Sequence, residues 1–170
     1  MSGSRLPRTI FFAIIAIAIA QSIYNFPKLP DRLASHFNAY GIPNGWMPKQ
    51  AFFIVYGVMI LVAAIPEFFV PFSIAHTSNA RVNLPNKDYW LAPAQRAGTM
   101  EYFEKSFAWF GCALLLVEVC AMGLAMQANF ASPPRLPAAP MIALIAAFLL
   151  YTVVWVILMV RRFSNLPASV

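Results

Sequence analysis

Four long apolar stretches dominate this chain, over residues 9–26, 51–75, 106–128 and 141–160 approximately. Each holds roughly 18–25 residues, the length of helix that crosses about 30 Å of hydrocarbon. In lipid the backbone has to satisfy its own hydrogen bonds, so helices are expected. The alternating pattern of a barrel strand is absent. The chain is therefore expected to form an all-α integral membrane four-helix bundle, a single domain over residues 1–170.

Composition agrees. Of the residues, 61% are hydrophobic and 11% charged. Soluble domains run at roughly 45–50% apolar and about 25% charged, and a small soluble core has no room for the difference. The net charge of +6 does not point to nucleic acid. The basic residues flank apolar segments, as membrane topology requires. Cys112 and Cys120 fall in one apolar stretch, about 12 Å apart along a helix, too far for a disulfide between them.

Arg5 and Arg8 followed by an apolar run ending Ala18-Ile19-Ala20 have the look of a cleavable signal. Ile23, Tyr24 and Phe26 carry the run past that point, so a retained first helix is expected. With both termini inside, the inner side holds Arg5, Arg8, Arg81, Lys87, Arg96, Lys105, Arg161 and Arg162. The outer side holds Lys28, Arg32, Lys49 and Arg135. That asymmetry favours an N-in, C-in orientation. Residues 27–50 then form an outer cap, 76–105 an inner loop and 129–140 a short outer loop. Small residues recur at helical spacing, and close helix approach is expected there: Ala13, Ala16 and Ala20 on the first helix, Ala108, Gly111 and Cys112 on the third, Ala143 and Ala147 on the fourth.

The outer segment reads PKLPDRLASHFNAYGIPNGWMPK, residues 27–49. Four prolines and two glycines restrict its backbone and favour defined turns, so an ordered cap is expected. Pro43-Asn44-Gly45 suggests a tight turn, and Pro30-Asp31 the opening of a short helical turn. Within the cap, Asp31, His36, Asn38, Trp46 and Lys49 are the candidate binding residues. His36 and Asn38 could equally hold the loop by bonding its backbone.

The pattern P-x-L-P-D-x-x-x-x-H-F-N-x-x-G-x-P-x-x-W-x-x-K after a first membrane helix resembles a bacterial membrane family that includes the SdpI-type immunity and signalling proteins. Pro27, Leu29, Pro30, Asp31, His36, Phe37, Asn38, Gly41, Pro43, Trp46 and Lys49 carry the match. The run from Asn83 to Pro93 is similar to short members of that family, so the resemblance covers roughly the first 105 residues. Ala34-Ser35 and Asn44 depart from the usual pattern. The resemblance implies a bacterial inner-membrane protein; much of the family has no assigned role.

Glu67 and Glu118 lie inside the second and third apolar stretches. Counted from the inner ends of those stretches, they reach similar depths and could face each other. A charge at mid-membrane costs about 2.5–3.5 kcal/mol, and holding a carboxyl neutral at pH 7 costs about 3.7 kcal/mol, so partners decide its state. Either the pair forms a proton or cation site, or each Glu ties helices together. No basic partner is evident at that depth. In the inner loop, Lys87, Asp88, Tyr89, Trp90 and Arg96 are the candidate docking residues for a cytosolic or membrane partner; the alternative is an interfacial helix lying against inner-leaflet headgroups.

G-x-S-x-G, nucleotide-binding and zinc-protease motifs are absent. The chain is expected to be no enzyme, with no catalytic residue, metal or cofactor. The expected surroundings are the lipid bilayer and a membrane-protein or peptide partner, with no nucleic acid and the oligomeric state open. The leading expectation is a small protein acting by interaction, of an immunity or sensing type or as an accessory subunit. The alternative is a proton- or cation-coupled transport component using Glu67 and Glu118.

Overall fold

A computed structural model describes residues 5–166. Helix α1 covers Arg5–Asn25 and ends in a 3-10 turn, Phe26–Lys28. Two antiparallel strands follow, β1 (Arg32–Phe37) and β2 (Pro43–Pro48). Helix α2 (Lys49–Ala64) passes through a π-helical turn, Ile65–Phe69, into α3 (Val70–His76). After the short α4 (Lys87–Trp90) come two long helices, α5 (Pro93–Ala128) and α6 (Ala138–Ser164).

Among the described residues, four helical segments are long and apolar enough to cross a membrane: Arg5–Lys28, Lys49–His76, Pro93–Ala128 and Ala138–Ser164. The chain is an all-α multi-pass membrane bundle with one small two-stranded hairpin. The hairpin and the segment after α5 sit at one end. The start of α1, the segment joining α3 to α5 and the end of α6 sit at the other.

α1, α2 and α5 form the core. Phe11, Ile14 and Ala18 of α1 meet Phe52, Tyr56 and Ala63 of α2 and Cys112, Leu115 and Val119 of α5. α5 also buries Ala108 and Gly111, as their spacing indicates. Ala13, Ala16 and Ala20 instead face outward, as do Ala143 and Ala147. The close-packed face of α1 runs through Pro7, Phe11, Ile14 and Ala18, because larger side chains fill the gaps that α2 and α5 leave. α6 contributes only Phe163 to the buried set. The rest of its length presents Ile, Leu and Val outward, the surface that lipid tails solvate at no cost.

Three local expectations are corrected. Pro30-Asp31 opens no helical turn; the chain goes directly into β1. Pro43-Asn44-Gly45 lies inside β2, and the hairpin turns at Asn38–Ile42, with Gly41 at φ 75°. The inner loop forms no single separate helix, its residues being split between the short α4 and the start of α5. Arg96, Glu101 and Lys105 belong to α5, which begins at Pro93 and runs on without a break. The residues Ala94–Lys105 include many good helix formers and, beyond its first residue Pro93, the helix meets no proline.

Candidate functional site

The hairpin is held on the bundle by side chains that reach backbone groups. Asn129 at the end of α5 is buried. Its Oδ1 accepts from Ala34 N at 2.7 Å, and its Nδ2 donates to Ala34 O at 2.9 Å and to Ala125 O at 2.8 Å. One amide thus acts as a neighbouring strand would, pairing both backbone groups of a β1 residue. At the hairpin base, Lys49 is buried and its Nζ donates to Leu29 O at 2.9 Å. The Lys49 amide donates to Asp31 O at 2.8 Å, and its ammonium lies 3.3 Å from the exposed Asp31 carboxylate.

The turn is closed by Asn38, whose Oδ1 accepts from the amides of Tyr40 and Ile42 at 2.9 and 3.0 Å. This is an Asx-type closure. Gly41 bonds across to the segment after α5: Leu136 N donates to Gly41 O at 3.0 Å. Any Cβ at Gly41 would collide with the Leu136 carbonyl oxygen. Leu33, wholly buried, fastens the hairpin into the helix core.

The five cap residues thus divide. Lys49 and Asn38 serve the fold, and Asp31 does so through its backbone carbonyl. His36 and Trp46 are exposed. His36 lies across from Gly45, where a Cβ would come within 3.0 Å of its ring. Tyr40 and Ile42, at the turn, are 75% and 51% exposed. The apolar tip does not dock onto the bundle. Asn129 gave no sequence signal beyond that of a residue ending a helix, and its partner lies 95 residues away.

At the opposite end, Trp90 is buried, with its Nε1 donating to Phe163 O at 3.0 Å and its ring edge-on to Phe163. Asn86 Nδ2 donates to the carbonyls of Phe163 and Ser164 at 2.9 and 3.0 Å. Together they satisfy carbonyls left open at the end of α6. Arg96 bonds Asn79 and, at 3.0 Å, Ala75 O. Trp90 and Arg96 therefore fasten helices together. Asp88 and Tyr89 are exposed, and Lys87 is half-buried.

The intramembrane acids do not meet. Glu67 stands in the π-helical turn, 1% exposed. Pro66 lacks an amide hydrogen, and Val70 N–H donates to Ile65 O five residues back. That wider turn places Glu67 against Gly111, whose missing side chain makes the space: a Cβ there would lie 3.0 Å from Glu67 Cβ. Glu118 is seven residues further along α5, about 10 Å down the axis, within electrostatic reach of Tyr56. The estimate of equal depth fails because α5 starts at Pro93, well before the apolar stretch from which the depth of Glu118 was counted.

Glu67 does have a cation in electrostatic reach, Arg8 of α1, which the residue count overlooked. Arg8 lies 3.8 Å from Glu104 of α5. Both Glu67 carboxylate oxygens and Arg8 Nε are buried without a hydrogen-bond partner among the described residues. Glu104, Gly111 and Glu118 share one face of α5 by their seven-residue spacing. A further polar tie crosses the core: Tyr56 OH donates to Gln21 Oε1 at 3.1 Å, and Gln21 Nε2 approaches Val119 O at 3.5 Å.

No curated protein and no solved structure matches the chain. A family model described as a domain of unknown function (DUF1648) matches residues 13–60, which take in most of α1, the whole hairpin and most of α2.

Proposed function

We propose that this chain is a membrane-anchored recognition protein whose hairpin presents a fixed apolar surface to a peptide or membrane-protein partner. The observation that supports this reading is the division of labour in the cap. Asp31, Asn38 and Lys49 are engaged in holding the hairpin, while His36, Tyr40, Ile42 and Trp46 stay exposed on it. Exposed aromatics on a rigid support are the usual anchors of binding surfaces, because little entropy is lost on docking. The excess of Lys and Arg at the opposite end supports an N-in, C-in orientation with the hairpin outside. The resemblance of residues 27–49 to the SdpI-type family supports a bacterial inner membrane and a role in immunity, sensing or as an accessory subunit. The reading assigns no catalysis and no cofactor.

A photo-crosslinking amino acid at Trp46 tests it. One discrete adduct is expected from position 46 and none from Ile54, a lipid-facing control, with the adduct lost in His36→Ala. Equal labelling at both positions contradicts the proposal.

One observation favours a second reading. Glu67 is buried in a proline-flanked π-helical turn with neither oxygen partnered among the described residues, and Arg8 and Glu104 lie toward one end of the bundle. Ionisable groups within a membrane are functional candidates by default, and π-helical turns concentrate at functional sites. Proton or cation exchange at Glu67, with Glu118 as a separate second group, fits that arrangement. Flux in proteoliposomes that Glu67→Gln abolishes is the expected result. Flux equal to that of empty vesicles overturns it.

A further inference from the structure

The bundle contains a cleft that neither reading uses. It lies between α3, the segment 77–85, α5 and α6, and has a volume of about 450 Å³. Residues of α3 and α6 both line it, and α6 has a single buried residue, Phe163, which is among them. Ile74, Phe107, Trp155 and Met159 give it apolar walls, and Arg81 and Asn83 stand at its polar rim. The Trp155 indole is fixed by donation to Ser106 Oγ at 3.0 Å, and its ring packs edge-on to Phe107. The wall is therefore a formed surface.

Arg81 closes the 3-10 turn Asn79–Arg81, five residues beyond the end of α3 at His76. It is exposed, and no carboxylate among the described residues pairs with it. The cleft joins an unpaired guanidinium to a greasy channel at the end of a membrane span. That is the chemistry of an amphiphile with an anionic head. Its volume falls in the range of about 300–1,000 Å³ usual for ligand pockets. Basic pockets between membrane helices near a leaflet surface take anionic headgroups, and guanidinium suits phosphate through paired N–H donors.

We infer that this cleft is a binding site for one anionic glycerophospholipid of the surrounding leaflet, its phosphate on Arg81 and an acyl chain against Phe107, Trp155 and Met159. Lipid held there fills the wedge between α3 and α6 and joins the fourth span to the rest of the bundle.

The test is native mass spectrometry of the full chain released from nanodiscs of equal phosphatidylglycerol and phosphatidylethanolamine. One retained phosphatidylglycerol is expected. Arg81→Gln should lower its retention relative to phosphatidylethanolamine by about fivefold. Lys105→Gln, the same loss of charge on an exposed residue outside the cleft, should leave retention unchanged. Trp155→Ala should reduce retention of both lipids. Equal retention of the two lipids by the wild-type chain overturns the inference, as does unchanged selectivity in Arg81→Gln. An equal fall in Arg81→Gln and Lys105→Gln reduces the effect to surface charge and overturns it too.

Discussion

Gly41 and Gly111 are the single residues on which most depends, for different reasons. At Gly41 the positive φ and the Leu136 carbonyl both exclude a side chain. Gly41→Ala is expected to cost the cap about 1–3 kcal/mol. Amide hydrogen exchange at Ile42 and Leu136 should speed up at least tenfold, while the core of α5 stays protected. At Gly111 the missing side chain admits Glu67, and the acid there has no donor among the described residues. A buried acceptor without a donor costs about 1–3 kcal/mol. Glu67→Leu should therefore raise stability by an amount of that order, read as a higher unfolding midpoint in detergent. A comparable fall would mean that the carboxylate is held by a partner and serves the fold. A gain in stability with loss of function is the usual mark of a strained working residue.

At the scale of elements, the hairpin depends on Asn129 and the α6 end on Trp90. Asn129→Ala removes three hydrogen bonds at about 1 kcal/mol each. Limited proteolysis should then cut within residues 27–48, while helical content by circular dichroism stays unchanged. Resistance equal to the wild type would contradict the clamp. The spans were legible in the sequence because eighteen or more apolar residues in a row admit few other structures. The ordered cap was legible from its prolines and glycines, but its strands were not. β1 and β2 are six residues each, carry no β-branched residue, and β2 begins and ends in proline, so strand preference was silent. The roles of Lys49 and Trp90 were hidden for another reason. Both bond backbone carbonyls of distant segments, Leu29 and Phe163, and residue identity does not say which carbonyl a donor will meet. Glu67 was legible as an oddity from its apolar neighbours, but its separation from Glu118 required the true start of α5.

For the whole molecule, two ends with different chemistry follow from an even number of spans. One end carries a rigid hairpin with exposed aromatics. The other gathers the start of α1, the end of α6, most of the basic residues and the lipid-sized cleft. Neither functional reading survives if these ends are not on opposite faces of a bilayer, the hairpin outward. Sidedness of thiol labelling tests this most directly. In a chain with Cys112→Ala and Cys120→Ala, a membrane-impermeant maleimide should modify Ala39→Cys in sealed right-side-out vesicles, and Asp88→Cys only after permeabilisation. Labelling of Asp88→Cys in sealed vesicles, with Ala39→Cys protected or equally labelled, would contradict the account.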